Sequence, residues 1–469
     1  MDAIDYAEMV SFGQQHFGKC ELGDKRRTDR LVQTTDLFLQ HPGGTLPDKL
    51  NHNADLIGFY RMANNPDVTH AKLIASHAAH TRQLMERASG VVIVIHDTTE
   101  IDFSGLESVE GLGPIGHGGC KGFLCHNSLA YDYDAGEVLG LAGQLIHVRR
   151  KVPKKESPTA KRNHPQRESR LWKKGWTALG PPLPGQRRIN IADRGADMLE
   201  FIEAVHLSGD EYVIRSKSNR NIELDDGKGG VIRTKLHDFA RALPSMGERS
   251  VCVSTNRGHQ GRTAQVRVSA APASIRTPQF ARGEHSRDNV AAWVIYVREI
   301  NAPPGEKPLE WILLTNVPAL DFKEVGERID WYACRPIVEE YHKAAKTGCG
   351  IELPQFTTPH ALQVTIAVLS VVATQLLRLR DLSRGDDATT RPATDVVDQE
   401  YVTALSYWRF KKIVLHLSVH DFCMALAKLG GHLNRKHDGP PGWLVLWRGW
   451  TKLQPMVDGI RAARMMSCV

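Results

Sequence analysis

"VVIVIHDTTEIDF", residues 91–103, places five apolar β-formers, Val91 to Ile95, ahead of His96 and Asp97. An unbroken apolar run rich in β-branched residues is what a strand needs when both faces of its sheet are covered. Asp97 then stands near the end of a buried strand. A carboxylate there caps a turn, holds a cation or titrates. Glu100 and Asp102 lie close enough in the chain to compete for the same role.

Downstream, "HNSLAYDYDAGEVLGLAGQLIHVRR" (126–150) alternates about "DAG", a hairpin turn signal. "RRINIADRGADMLEFIEAVHLSG" (187–209) reads as a strand followed by a helix opening near Asp193, and "EYVIRSKS" (211–218) as a further strand. Asp193 repeats the situation of Asp97, although it also suits a helix N-cap. Asp197, one turn on, suits the positive end of that helix. Residues 219–304 are rich in Gly, Ser, Arg and Thr with short strand-like pieces, as expected of a β-rich insertion. The strand "EWILLTN" (310–316) follows it, then a long helix from about Val325 to Lys346. "VTIAVLSVVATQLL" (364–377) is too short and too punctuated by Thr, Ser and Gln to span a bilayer, and reads as a buried helix.

The flanks are helical. Asp24 suits the N-cap of "KRRTDRLVQTTDLFLQ" (25–40), which stops at "HPGG". "ADLIGFYRMANN" gives a second helix, and a third opens at Asp67. Short helices carrying Arg26, Arg27 and Arg30 fit a helix-turn-helix-like DNA reader; a plain bundle with a basic face fits equally. After the polar linker "LSRGDDATTRPATD" the chain is helical again. The expected division is a helical N-terminal domain (1–75), a mixed α/β domain (76–385) and a helical C-terminal domain (386–469).

Bulk properties set limits. Hydrophobic content of 41% and charged content of 24% are those of a globular chain with a sizeable core. The net charge of +7 favours an anionic partner only weakly. Its distribution says more: between Arg149 and Lys174 there are eleven Lys or Arg against Glu156 and Glu168, the pattern of a solvated loop or of a phosphate-facing strip. Eight scattered cysteines without zinc spacing point to reduced thiols in a cytoplasmic protein. "MDAIDYAEMV" at the start has no basic n-region, so no secretory signal is expected.

"WYACRPIVEEYHKAAKTG" (331–348) supplies a third acid. At about 100° per residue, Tyr332, Arg335, Glu339, Lys343 and Lys346 fall within an arc of about 80°, whereas Glu340 lies about 100° from Glu339. An exposed helix face with i,i+4 ion pairs accounts for the charges, but less readily for the tyrosine and arginine in the same stripe. Asp97, Asp193 and Glu339, brought together from two strands and a helix, are the oxygen donors that Mg²⁺ takes. Two such ions can activate the attacking oxygen and stabilise the leaving oxygen of a phosphoryl transfer.

These residues resemble the DDE transposases of the bacterial IS-four insertion-sequence family, with a pattern similar to that of the Tn-five cut-and-paste transposase. The family signature (Y, two residues, R, three residues, E, six residues, K) reads here Tyr332, Arg335, Glu339, Lys346 without a gap. "HDTTEI" and "ADRGAD" are similar to its two aspartate segments, and "LGDKRRTDRLV" and "LWRGWTKLQPMVDG" extend the similarity over nearly the whole chain. The resemblance implies an RNase H-like mixed-sheet core with a β-rich insertion. It implies Asp97, Asp193 and Glu339 as catalytic ligands of Mg²⁺, with Mn²⁺ substituting, and double-stranded DNA as partner of a homodimer on paired ends. It further implies DNA contacts by Tyr332, Arg335, Lys346, Arg215 and the following Lys217, a flipped-base contact by Trp311, and end recognition by Arg26, Arg27 and Arg30. Pro336 departs from the pattern, which has an aromatic there. A proline suits a first helical turn and moves the start of the glutamate helix to near Arg335. A different class of function also fits, a catalytically silent DNA-binding regulator; the presence of all three acids speaks against it.

Overall fold

In the computed structural model β1 (Val91–Asp102) is the hub of the sheet: Val92 to Ile95 are fully buried, and each such side chain contributes roughly 1.5–3 kcal/mol by leaving water. The structure describes residues 11–253, 261–278, 286, 288–414, 416–435 and 438–467. "MDAIDYAEMV" and the parts of the insertion and of the C-terminal loop at 254–260, 279–285, 287 and 436–437 lie outside the described residues.

The remaining strands are β2 (Gly113–Pro114), β3 (Lys121–Asp132), β4 (Glu137–His147), β5 (Arg187–Ala192), β6 (Glu211–Arg215), β7 (Asn221–Asp225), β8 (Val231–Lys235), β9 (Gly247–Val253), β10 (Arg262–Ile275), β11 (Val290–Glu299) and β12 (Glu310–Thr315). The order β4-β3-β1-β5-β6, with β3 antiparallel to β1 and β5 and β6 parallel to it, is consistent with the expected RNase H-like core. The β3–β4 hairpin turns at Tyr133–Gly136. Gly136 takes φ +71 there, and Asp132 Oδ1 accepts from the amides of Asp134 and Ala135.

The insertion does not form a layer of its own. β12 pairs antiparallel with β6, and β11, β10, β7 and β8 continue outward, so one twelve-stranded sheet runs through core and insertion. Helices cover both faces. The N-terminal helices and Pro359–Leu382 pack on one, around Ile93, Ile95 and Leu313; Arg170–Ala178, Leu199–Ser208 and Leu236–Ala242 pack on the other, around Phe201 and Tyr212. Pro359–Leu382 is long and apolar enough to cross a membrane, but 78% of its most apolar window is buried inside the fold, as befits a core helix. The C-terminal helices Gln399–Phe410, Val419–Leu429 and Trp443–Ser467 share a separate cluster.

Several local expectations change. The third N-terminal helix runs His70–Arg87 and is capped by Thr69, not Asp67, so it crosses residue 75 and packs on β4. The helix after β5 begins at Leu199; Asp193 instead caps a 3-10 turn, Arg194–Ala196. Asp197 is turned inward, accepting from the Lys217 and Ser218 amides at 2.7 Å and pairing with Arg220. β6 ends at Arg215, so Lys217 sits in a turn rather than on a strand face with Arg215. Finally, the single helix expected over 325–346 is three pieces: Phe322–Ala333, Pro336–Lys343 and a π-helical turn, Ala344–Gly348. Pro336 donates no hydrogen bond and occupies the N1 position of the second piece, which breaks the ladder where the proline departure pointed.

Candidate active site

Strand register brings the two aspartates together. β1 and β5 pair in parallel up to His96–Ala192, so the next residues, Asp97 and Asp193, emerge side by side at the same sheet edge. β1 continues past that point on β3, where Asp97 stands opposite Asn127. The Pro336–Lys343 helix packs against β1 and brings Glu339 over this edge.

One side chain meets all three acids. Arg335 Nη2 lies 2.9 Å from Asp97 Oδ2 and 3.7 Å from Asp193 Oδ2, while Nη1 contacts Glu339 Oε1. Glu340 turns the other way, to the buried Arg380. The break before Pro336 matters here. It leaves Arg335 and Glu339 in i,i+4 contact but removes the single-cylinder geometry assumed for Tyr332 to Lys346.

The electrostatics follow from burial and crowding. Burial raises the pKa of Asp97 to about 6; the Asp193 and Glu339 charges push the same way and the Arg335 guanidinium opposes. Burial works against the charge on Arg335, and the Asp97, Glu339 and Asp193 carboxylates outweigh it. Arg335 Nε is buried without a partner among the described residues. The guanidinium thus satisfies the acids better than the acids satisfy it.

Around this centre, Tyr332 is buried, meets Trp311 edge to face at 5.0 Å and bonds to Arg215. Trp311 is 9% exposed in β12, where it occupies a core position rather than an open stacking platform. Arg215 Nη2 also donates to the Glu310 carbonyl at 2.8 Å. Lys346 lies on the π-helical turn and pairs with Glu352 at 3.0 Å, not with Glu339. Lys217 is exposed, in the loop that follows β6. In the N-terminal region Arg27 pairs with Asp67 at 2.6 Å and Arg30 with Asp55 at 2.7 Å. Arg26, its side chain 90% exposed, holds only the capping Asp24.

Two further residues belong to the site and had no assigned role. His342, three residues after Glu339, bonds through Nε2 to Asn127 Nδ2 at 3.0 Å; burial, with Lys346 and Arg335 nearby, lowers its pKa to about 3. Asn127 in turn accepts from Gln144 at 2.7 Å, which reaches Ser370 at 2.9 Å, so a buried polar chain backs Asp97. Arg194, next to Asp193, is exposed and close enough for its charge to act on Arg215. The i+3 spacing of His342 and the position of Arg194 inside "ADRGAD" were the available signals.

The donor types suit a hard divalent cation, which takes carboxylate oxygens. With these side chains in place, however, no group of three or more His, Cys, Asp or Glu among the described residues is arranged to hold a metal ion. The Arg335 guanidinium stands among the three carboxylates. The cavity beneath, about 10 Å³ between Asn127, Gln144, Tyr341 and His342, has room for at most one water.

Residues 9–68 match the family model described as transposase DNA-binding. That span takes in the helices Phe12–Phe17, Lys25–Gln40, Leu46–Lys49 and Asn53–Ala63, with Arg26, Arg27 and Arg30. The chain therefore carries a transposase-type DNA-binding domain, and DNA is its partner.

Proposed function

We propose that this protein is a DDE transposase of the IS-four kind, which excises a DNA element by cutting at its ends and joins it to a target. The observation that carries the reading is the convergence of Asp97, Asp193 and Glu339 on one guanidinium, in a chain with a transposase DNA-binding domain. Hydrolysis at the end, attack of the freed 3′-OH on the opposite strand to form a hairpin, hairpin opening and strand transfer are all in-line phosphoryl transfers, so one site serves each.

Asp97, Asp193 and Glu339 would hold Mg²⁺, with Mn²⁺ substituting. When bound, such ions activate the attacking oxygen and stabilise the leaving one. In the DNA-free protein Arg335 neutralises the acids. A DNA phosphate offers its fork a bidentate partner, drawing it off the carboxylates and freeing them. Arg215, Arg194 and Lys346 neutralise adjacent phosphates, and Tyr332 orients Arg215. Asn127 and His342 hold the floor under Asp97. Trp311 meets a flipped base only if it leaves its core position. The active form is a dimer on paired ends. The C-terminal domain supports this by exposing Tyr407, Phe410 and Ile413 close together in sequence.

The deciding experiment is cleavage of DNA carrying the native element ends, in Mg²⁺, by wild type, Glu339→Ala and Glu340→Ala. Only Glu339→Ala should be dead, and wild type should give hairpin intermediates. Normal cutting by Glu339→Ala defeats the reading.

A further inference from the structure

The basic segment between Arg149 and Lys174 plays no part in the site so far described. In the fold both of its acids are consumed at its base: Glu156 pairs with Arg150 at 2.7 Å and Glu168 with Arg149 at 2.9 Å. Nine other cations remain in the segment. Four of them, Arg167, Arg170, Lys173 and Lys174, line an open groove of about 930 Å³ between the helices Arg170–Ala178 and Leu199–Ser208. Lys173 and Lys174 are exposed and make no ion pair among the described residues. Of the two acids that border the groove, Glu200 pairs with the groove's own Arg167 at 3.6 Å, and Glu203 is buried and accepts from the Ser286 amide at 2.8 Å, so Lys173 and Lys174 carry the groove's free charge.

This groove is fixed to the candidate active site by a rigid contact. Trp172, on the buried face of Arg170–Ala178, packs against His126 of β3 at 5.1 Å. It also lies so close to Gly195 that a Cβ there would stand 2.8 Å from its ring. Gly195 donates its amide to Asp193. One layer of side chains therefore separates the cationic helix from a carboxylate of the site. The groove straddles β5: Arg170–Ala178 packs over β1, β3 and β4, while its other wall, Leu199–Ser208, packs on β6, the strand that carries Arg215.

We propose that this groove is a second DNA-binding surface, which grips the phosphate backbone of duplex DNA outside the element end itself. The inference rests on the transposase reading. The occupant is double-stranded DNA because the charge is spread over several turns of chain and an open trough, as a phosphate backbone requires, and not gathered about one buried point. Two sources offer that chemistry: donor DNA flanking the element, and target DNA.

Lys173→Glu/Lys174→Glu, with Lys173→Arg/Lys174→Arg as the charge-keeping control, separates them. Three probes are used with the full-length protein: an element-end duplex with its flank, the same duplex truncated at the scissile phosphate, and an unrelated duplex offered to the pre-cleaved complex. The charge reversal should leave the melting temperature and the truncated duplex unaffected. It should weaken at least one of the other two by about tenfold or more and flatten its log–log salt slope by about two. Loss on the flanked duplex assigns the groove to donor DNA, and loss on the unrelated duplex assigns it to target DNA. Unchanged affinity and salt slope on both, with wild type still cutting element ends, overturns this inference alone. A wild type that cuts no end overturns the reading beneath it.

Discussion

Arg335 Nη2 stands 2.9 Å from Asp97 Oδ2, and the same guanidinium reaches Asp193 and Glu339, so a cation from the protein's own chain occupies the centre of the acid cluster. Neutralising three crowded carboxylates internally stabilises the DNA-free state and competes with any external cation. Arg335→Ala should therefore raise the affinity of the DNA-free protein for Mn²⁺ by about tenfold or more, measured by electron paramagnetic resonance titration. It should at the same time lower end cleavage, because the phosphate contact is lost. An unchanged or weaker Mn²⁺ affinity would show that Arg335 does not compete.

The two adjacent glutamates should separate function from stability. Glu339→Gln leaves Arg335 on Asp97 and removes a site carboxylate, so cleavage should fall by at least about a thousandfold with the melting temperature almost unchanged. Glu340→Gln removes a partner of Arg380, whose side chain is 7% exposed, and should cost about 1–2 kcal/mol in a urea melt. Arg380 keeps Asp381, which limits the loss, and cleavage by the folded fraction should be normal.

How much of this was readable beforehand depends on where the information lies. The ends of β1 and β5, the Asp24 cap and the buried apolar helix are local features, set by a few adjacent side chains, and the sequence displays them. Pro336 likewise marked a helix start. What was not legible depends on residues far apart in the chain. That Arg335 bridges Asp97 and Asp193 depends on the β1–β5 register, and that the insertion extends the core sheet depends on β12 pairing with both β6 and β11. Asp197 suited a helix N-terminus by position, yet the Lys217 and Ser218 amides, twenty residues on, claimed it. The helical wheel assumed one cylinder over residues 332–346. It still selected Glu339 over Glu340, because only the four-residue step from Arg335 was needed.

Trp311 offers a test of the flipped-base role against its packing. It is 9% exposed and meets Tyr332 at 5.0 Å. Trp311→Ala should cost about 3–5 kcal/mol as a core truncation. Trp311→Phe keeps most of the volume and should restore stability to within about 1.5 kcal/mol. If Trp311 also receives a base, Trp311→Phe should still show slower hairpin formation with first-strand nicking intact; equal rates for both steps would leave it a core residue alone.

A pair of histidines fastens the DNA-binding domain to the core. His16, on Phe12–Phe17, and His77, on His70–Arg87, face each other through their Nδ1 atoms at 2.9 Å, and His77 Nε2 accepts from the Leu141 amide of β4. His77 must then be neutral with its proton on Nδ1, donated to His16. Burial, with His80 nearby, lowers the pKa of His77 to about 3, and burial lowers that of His70, bonded to Gln144, to about 4. The unfolded chain binds these protons near pH 6.5 and the folded chain does not. The stability these histidines contribute is thus complete above about pH 6.5 and declines as pH falls towards 4, by about 1.4 kcal/mol per pH unit for each. Acid should raise hydrogen exchange first at the seam between residues 11–17, 70–87 and β4. His77→Gln, whose amide can still accept from Leu141, should lower stability at pH 7.5 and reduce the slope between pH 6.5 and 4. A wild-type melting temperature that stays flat over that range, or an equal slope in His77→Gln, would show that the histidine pair is not the acid-sensitive fastening.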